Sequence, residues 1–206
     1  MFKIYGYATQ NSKKVLYVAE ELGIDYEFEK VDLRKGESRT EDFAKKNIMR
    51  KVPVLQHDER FLFESGAICR YLANIQESKL YPCDKFERAV VDQWMDFFST
   101  QLGRWLNTLF FEKLMKPLFN LGTPIQSVID ESSKFVRQNL KTVNFHLENN
   151  RYFAGPNFSI ADLFAYAYIE QLIPLEFPLE EYPHVANWLN KIAARASIKK
   201  GPERLA

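Results

Sequence analysis

Glu64 and Ser65 are the residues with the most chemistry to offer. They follow one apolar run, Phe61-Leu62-Phe63, and precede another in which Ile68, Tyr71 and Leu72 recur three and four residues apart. That spacing predicts a helix opening at Ser65. A helix start presents backbone N–H groups without intrahelical partners and the positive end of the helix dipole. Both suit a small carboxylate. Glu64 adds a negative charge suited to an amine. A receptor for carboxylate beside one for ammonium matches the head group of an amino acid.

Several elements must hold that pair in place. Lys51-Val52-Pro53-Val54-Leu55 reads as a strand, with Pro53 tolerated at its first residue or at an edge. His57-Asp58-Glu59-Arg60 is a polar break between apolar runs and predicts a hairpin loop with His57 exposed. Upstream, Phe2, Ile4 and Gly6 mark a short strand. Asn11-Ser12 is expected to cap a helix that carries Val15, Leu16, Ala19 and Leu22 and ends at Gly23. Tyr26 to Leu33 alternates as a second strand, and Thr40 to Lys46 predicts a short helix. The order βαβαββα fits within residues 1–75.

Beyond a polar connector at 76–83 the pattern becomes helical throughout. Asp84-Lys85-Phe86-Glu87 has the form of a capping box for a long helix bearing Val90, Trp94, Phe97, Phe98, Leu102, Trp105 and Leu109. Val136, Leu140, Val143 and Leu147 mark another. Ser159 and Asp162 form an aspartate version of the capping box, with Phe158 and Leu163 as its hydrophobic staple. As a cap alone, Asp162 is expected to contribute about 0.5–2 kcal/mol. Residues 84–206 are therefore read as an all-α helical bundle.

Composition narrows the function classes. Lys and Arg number 28 against 27 acids, a net charge of +1, which lacks the basic excess of a nucleic-acid protein. No apolar run approaches the roughly 18 residues of a membrane span, so no membrane partner is expected. The start, MFKIYGYATQ, enters a strand pattern directly and lacks a signal peptide's apolar stretch. Cys69 and Cys83 form neither a disulfide framework nor a metal-ligand spacing. A reducing, cytoplasmic setting without a metal is expected. His57, His146 and His184 share no catalytic spacing.

VPVL followed by FESGAICRYL resembles the glutathione-binding half of the glutathione S-transferases, of the cytosolic, hydroxyl-residue type found in theta, phi and nu-like branches. Two further stretches are similar to that family. Phe153-Ala154-Gly155-Pro156-Asn157-Phe158-Ser159-Ile160-Ala161-Asp162-Leu163 resembles its buried-helix entry, and Tyr182-Pro183-His184-Val185 through Arg195 its penultimate helix. The resemblance implies a thioredoxin-like α/β domain over 1–75, a linker at 76–83 and a helical domain over 84–206.

The same resemblance implies residue roles. The Val52-Pro53 bond would be cis, with the Val52 backbone on the cysteinyl part of glutathione and Glu64-Ser65 on its γ-glutamyl end. Thr9-x-Asn11 before Lys13-Lys14-Val15 matches a register in which a hydroxyl stabilises the thiolate, so Thr9 is the expected donor with Asn11 assisting. Ser12 and Tyr7 are its rivals. A free thiol titrates near 8.5, and lowering it by about two units is worth roughly 2.7 kcal/mol. Hydroxyl donors and helix N-termini act in that direction.

Arg39 and Lys51 would meet the glycine end. The family commonly reads Asn-Pro-x-Gly before the Val-Pro strand, whereas this chain has Asn47-Ile48-Met49-Arg50, leaving Arg50 as a substitute for Lys51. An electrophile pocket is expected along the stripe of Leu102, Trp105 and Leu109, beside Phe110 and Phe111. The activity that the resemblance implies is that of a detoxification-type transferase, a homodimer, that joins glutathione to a small hydrophobic electrophile. The alternatives are a glutathione-dependent disulfide reductase or peroxidase, an isomerase or dehalogenase of the same fold, and a non-catalytic interaction module.

Overall fold

The computed structural model describes residues 1–205 of the 206-residue chain. They form two units: Met1–Cys83 together with the segment from Ala193 on, and Asp84–Ile192.

In the first unit, β1 (Phe2–Gly6) leads through α1 (Gln10–Glu21) to β2 (Tyr26–Lys30). After α2 (Glu41–Lys46), β3 (Val54–His57) and β4 (Arg60–Phe63) form a hairpin that runs into α3 (Ser65–Ile75). The sheet order is β2-β1-β3-β4, with β1 parallel to β2 and the other pairings antiparallel. Ile4 stands opposite both Phe28 and Leu55, and Ile4 and Leu55 are fully buried. Val15, Leu16, Val18 and Ala19 turn the apolar face of α1 inward. The α/β organisation expected for this half is present.

Three local expectations need correction. The cap of α1 is Thr9 rather than Asn11-Ser12, because the Thr9 hydroxyl accepts the Ser12 N–H. The second strand ends at Lys30, since the Asp32 carboxylate takes the N–H groups of Arg34 and Lys35 and turns the chain. His57 is not in the loop but pairs with Arg60 across the hairpin, leaving Asp58-Glu59 as the turn with Asp58 at φ 54°. Its ring lies 4.3 Å from that of Phe2, and its Nδ1 is 2.7 Å from the Tyr71 hydroxyl, so it is half-buried.

The boundary at 84–206 also changes. α10 (Ala196–Glu203) packs against α1 within the first unit. Gly201 allows the close approach, since a Cβ there would meet the Tyr17 ring at 2.9 Å. The Glu21 carboxylate on α1 accepts from both Arg195 and Ser197. Partners 174 residues apart leave no local signal for this docking.

The second unit opens where the Asp84 carboxylate accepts the N–H groups of Phe86 and Glu87 and caps α4 (Lys85–Phe97). The helical path continues through a wide turn at Phe98–Leu102 into α5 (Gly103–Phe110), and through another at Phe111–Met115 into α6 (Lys116–Phe119). A Cβ at Gly103 would lie 2.2 Å from the Phe98 carbonyl and 2.3 Å from the Tyr168 ring. α7 (Gln126–Asn149), α8 (Ile160–Ile169) and α9 (Pro183–Ala193) complete the bundle. Every residue of α8 is buried.

Asp162 holds the start of α8 through four donors. Its Oδ2 accepts from the Ser159 N–H (3.0 Å) and hydroxyl (3.2 Å), and its Oδ1 from the Phe153 N–H and the Trp188 indole (each 3.1 Å). The capping box is present, and Asp162 also ties in α9 and the preceding loop. Burial pushes its pKa up to about 6 against the pull of those hydrogen bonds.

Candidate functional site

Three segments of the first unit build the site. The first is the β1–α1 turn. Thr9 is extended (φ −123°, ψ 152°), and its Oγ1 accepts the Ser12 N–H at 3.3 Å and lies 3.1 Å from the Ser12 hydroxyl. Ser12 is fully buried, and its Oγ accepts the Tyr7 N–H at 3.3 Å. Ser12, expected as a rival donor, is therefore enclosed behind Thr9 and supports it. The Tyr7 hydroxyl accepts from the Arg34 guanidinium at 2.7 Å. One turn further along α1, Lys14 is only 1% exposed, and its ammonium donates to Asn11 Oδ1 at 2.9 Å.

The second segment is the loop from Asn47 to Pro53. The buried Asn47 side chain brackets it, accepting the Met49 N–H at 2.9 Å and donating to the Lys51 carbonyl at 2.7 Å. Arg50 adopts the left-handed conformation (φ 53°), which carries the turn despite the missing glycine. Its guanidinium donates to the Arg39 carbonyl and pairs with Glu41. Arg50 is thereby engaged on α2 and does not replace Lys51. The Val52-Pro53 peptide bond is cis.

The third segment is the entry to α3. Glu64 stands at φ 70°, ψ 112°, a backbone region that costs on the order of 1–3 kcal/mol for a side-chain-bearing residue and clusters at ligand sites. Ser65 follows, buried, as the first residue of the helix. No side chain hydrogen bond caps this helix start. Its first N–H groups are the donors that a bound carboxylate would satisfy.

Asn11, Lys51, Val52, Pro53, Glu64 and Ser65 line one cleft of about 140 Å³. Asn47 and Met49 join them. These two were not expected as site residues. Their signal was the Asx-turn capacity of Asn47, which only the loop's geometry makes apparent. Thr9, Ser12 and Arg39 do not line the cleft, and Arg39 is exposed. No cysteine lines it either. Burial pushes the Cys69 thiol up to about 12, and Cys83 is exposed.

The expected electrophile stripe is largely core. Leu102 and Leu109 are fully buried, and Trp105 stacks on Phe135 with ring centres 4.2 Å apart. Phe111 is exposed. Among the described residues no helix is long and apolar enough to cross a membrane, and no three His, Cys, Asp or Glu side chains gather as a metal site.

A four-stranded α/β unit that presents a cis-Pro loop and an open helix start to one cleft is a thioredoxin-like framework with a ligand-sized site. Residues 1–74 match the glutathione S-transferase N-terminal domain and residues 106–196 the C-terminal domain of the same family. The chain is 33% identical over 202 residues to a rice (Oryza sativa subsp. japonica) protein described as a probable glutathione S-transferase GSTF2, covering 96% of this chain and 94% of the relative. It is 31% identical to glutathione S-transferase 1 of Zea mays, with the same coverage.

The crystal structure of glutathione transferase F7 from Populus trichocarpa superposes with a TM-score of 0.92 at 29% identity, covering all of both chains. A glutathione S-transferase-I bound with lactoylglutathione gives 0.90 at 30% identity, covering 98% of this chain and 99% of that one. The chain belongs to the glutathione S-transferase family. Its members are transferases that use glutathione as co-substrate.

Proposed function

We propose that this chain binds glutathione in the cleft at the start of α3, holds its sulfur as thiolate and transfers it to a small hydrophobic electrophile. The observation that carries the reading is the convergence of Lys51, Val52, Pro53, Glu64 and Ser65 on one cleft. The γ-glutamyl carboxylate is received by the Ser65 hydroxyl and the first N–H groups of α3, and the γ-glutamyl ammonium by Glu64. The Val52 backbone pairs with the cysteinyl unit. Lys51 supplies a cation for the glycine carboxylate, with Arg39 as an outer cation on the exposed surface.

Thr9 is the thiolate donor in this reading. The Ser12 N–H donates to Thr9 Oγ1, and the Ser12 hydroxyl lies 3.1 Å from the same oxygen; with Ser12 as the donor of that second bond, the Thr9 proton is left for the sulfur. A hydroxyl donor at the positive end of α1 lowers a thiol's proton affinity. Asn11 assists through its amide. Because the cleft carries no cysteine, the reacting sulfur belongs to the ligand, which favours transfer over exchange through an enzyme thiol. A homodimer in a cytoplasmic setting belongs to the same reading, supported by the family and by the free cysteines.

The test combines Glu64→Ala with Ser65→Ala. The double variant keeps its circular-dichroism spectrum, is no longer retained on immobilised glutathione and no longer conjugates glutathione to an activated aryl halide. Full retention by the variant removes the proposed site. Failure of the unmodified protein to bind glutathione leaves a non-catalytic module in its place.

A further inference from the structure

Lys14 is the one lysine among the largest fully buried side chains, and it sits beneath the cleft without lining it. Its ammonium donates to Asn11 Oδ1 at 2.9 Å, and Asn11 does line the cleft. That bond decides which end of the amide faces a ligand. With the oxygen engaged below, the amide N–H₂ is left as a donor at the cleft surface. Titratable groups near Lys14 include ones from α3, and the helix packed on α1 brings further charges. The Cys69 thiol of α3 donates to the Lys14 carbonyl at 3.6 Å and stays protonated, since burial pushes it up to about 12. Glu64, at the start of α3, is the carboxylate whose field Lys14 feels. The cations that α10 brings to α1, Arg195 and Arg204, pair with Glu21 and Glu20 at the far end of that helix.

We infer that Lys14 is a positioning residue of the glutathione site: its buried ammonium orients the Asn11 amide as a donor and supplies positive charge under an anionic ligand. The inference rests on the glutathione reading of the cleft. Glutathione carries two carboxylates and one ammonium, and a further negative charge once its thiol ionises. A buried cation is poorly screened by salt and so acts on all of them. Burial holds Lys14 down to about 7, so near neutral pH the free protein carries it partly uncharged. An arriving anion favours the charged form, and binding takes up a proton.

S-methylglutathione isolates this effect, because it keeps both carboxylates and the amine while its sulfur cannot ionise. Calorimetric titration at pH 7.5 in two buffers of different ionisation heat reads the protons exchanged. The unmodified protein takes up a fraction of a proton. Lys14→Met takes up none and binds on the order of tenfold more weakly at pH 6.5, the scale of a lost charge-assisted hydrogen bond. Lys14→Arg, charged at every pH used, retains the affinity without the uptake. Should Lys14→Met fail to fold, Lys14→Arg still decides the matter, since uptake that persists in it is not Lys14's. Unmodified affinity and uptake in either variant overturn the inference alone. Absence of binding by the unmodified protein to both S-methylglutathione and glutathione overturns the site reading as well, so the two failures are distinguishable.

Discussion

Lys14 and Asp162 are both fully buried charges near the start of a helix, one in the α/β unit and one in the helical unit, yet their surroundings differ in kind. Asp162 is saturated: four donors from the Ser159 cap, the Phe153 backbone and the Trp188 indole converge on its two oxygens. Lys14 donates one hydrogen bond to an exposed amide on the wall of a cleft. A buried ion whose partners are themselves buried fixes a fold. A buried ion that holds a solvent-facing amide also sets what that amide presents to the solvent. Both groups show the same cause of perturbation, burial disfavouring the charged form, which raises the carboxylate and lowers the amine.

The contrast breaks most sharply at Asp162. Asp162→Ala strands the Phe153 and Ser159 N–H groups and the Trp188 indole, each buried donor costing about 1–3 kcal/mol when left without a partner. The expected loss is at least about 3 kcal/mol, above the range for a cap alone. Thermal unfolding would read it as a fall of roughly 6–12 °C for a chain of this size, with glutathione affinity unchanged in the folded protein. A loss confined to about 1 kcal/mol would mean that Asp162 acts only as a cap.

Lys14→Met should behave in the opposite sense. Between about 7, its folded value, and the ordinary lysine value of 10.5, the unfolded chain holds the proton that the folded chain has lost. The Lys14 contribution to stability therefore rises with pH across that window, by at most about 1.4 kcal/mol per pH unit. Below pH 7 the folded protein carries the full burden of a buried ammonium. Lys14→Met is expected to flatten the slope and to raise stability at pH 6.5, as replacing buried ions by apolar groups often does. Urea unfolding from pH 6.5 to 9 measures both effects. A variant less stable than the unmodified protein at pH 6.5 would make Lys14 a structural ion like Asp162.

The smallest expected effect is that of Thr9→Ala. Loss of the cap lowers stability by about 0.5–2 kcal/mol. Loss of the donor raises the thiol pKa of bound glutathione by about one unit, or about 1.4 kcal/mol. Ultraviolet difference titration of the bound thiolate follows the shift. An unchanged titration transfers the role to Asn11, because the Tyr7 hydroxyl is held by Arg34 and Ser12 is enclosed.

Much of the architecture was legible because it is written in short-range patterns. Val52-Pro53, the Phe61–Phe63 return and the Glu64-Ser65 entry succeed one another within a single hairpin and helix start, and they meet at one cleft. The Ser159–Asp162 box spans three residues and could be read directly. Illegible features depend on partners far along the chain. Ser12 and Thr9 are both hydroxyl residues in one turn, and only the packing around α1 buries the first and leaves the second half-exposed. Arg50 and Lys51 are adjacent cations, distinguished by a left-handed backbone at Arg50, whose guanidinium pairs with Glu41 at the start of α2. The stripe of Leu102 and Leu109 has the same spacing whether it lines a pocket or fills a core, and here it fills the core.

Residue order alone determined the βαβαββα half, the helical half and the segments that meet at one cleft, because strand alternation, helix spacing and caps act between near neighbours. Tertiary structure decided which hydroxyl is accessible, which cation reaches the cleft, that α10 rejoins α1, and that Lys14 is buried. Those outcomes depend on desolvation, and a side chain is desolvated by whatever the rest of the chain packs around it.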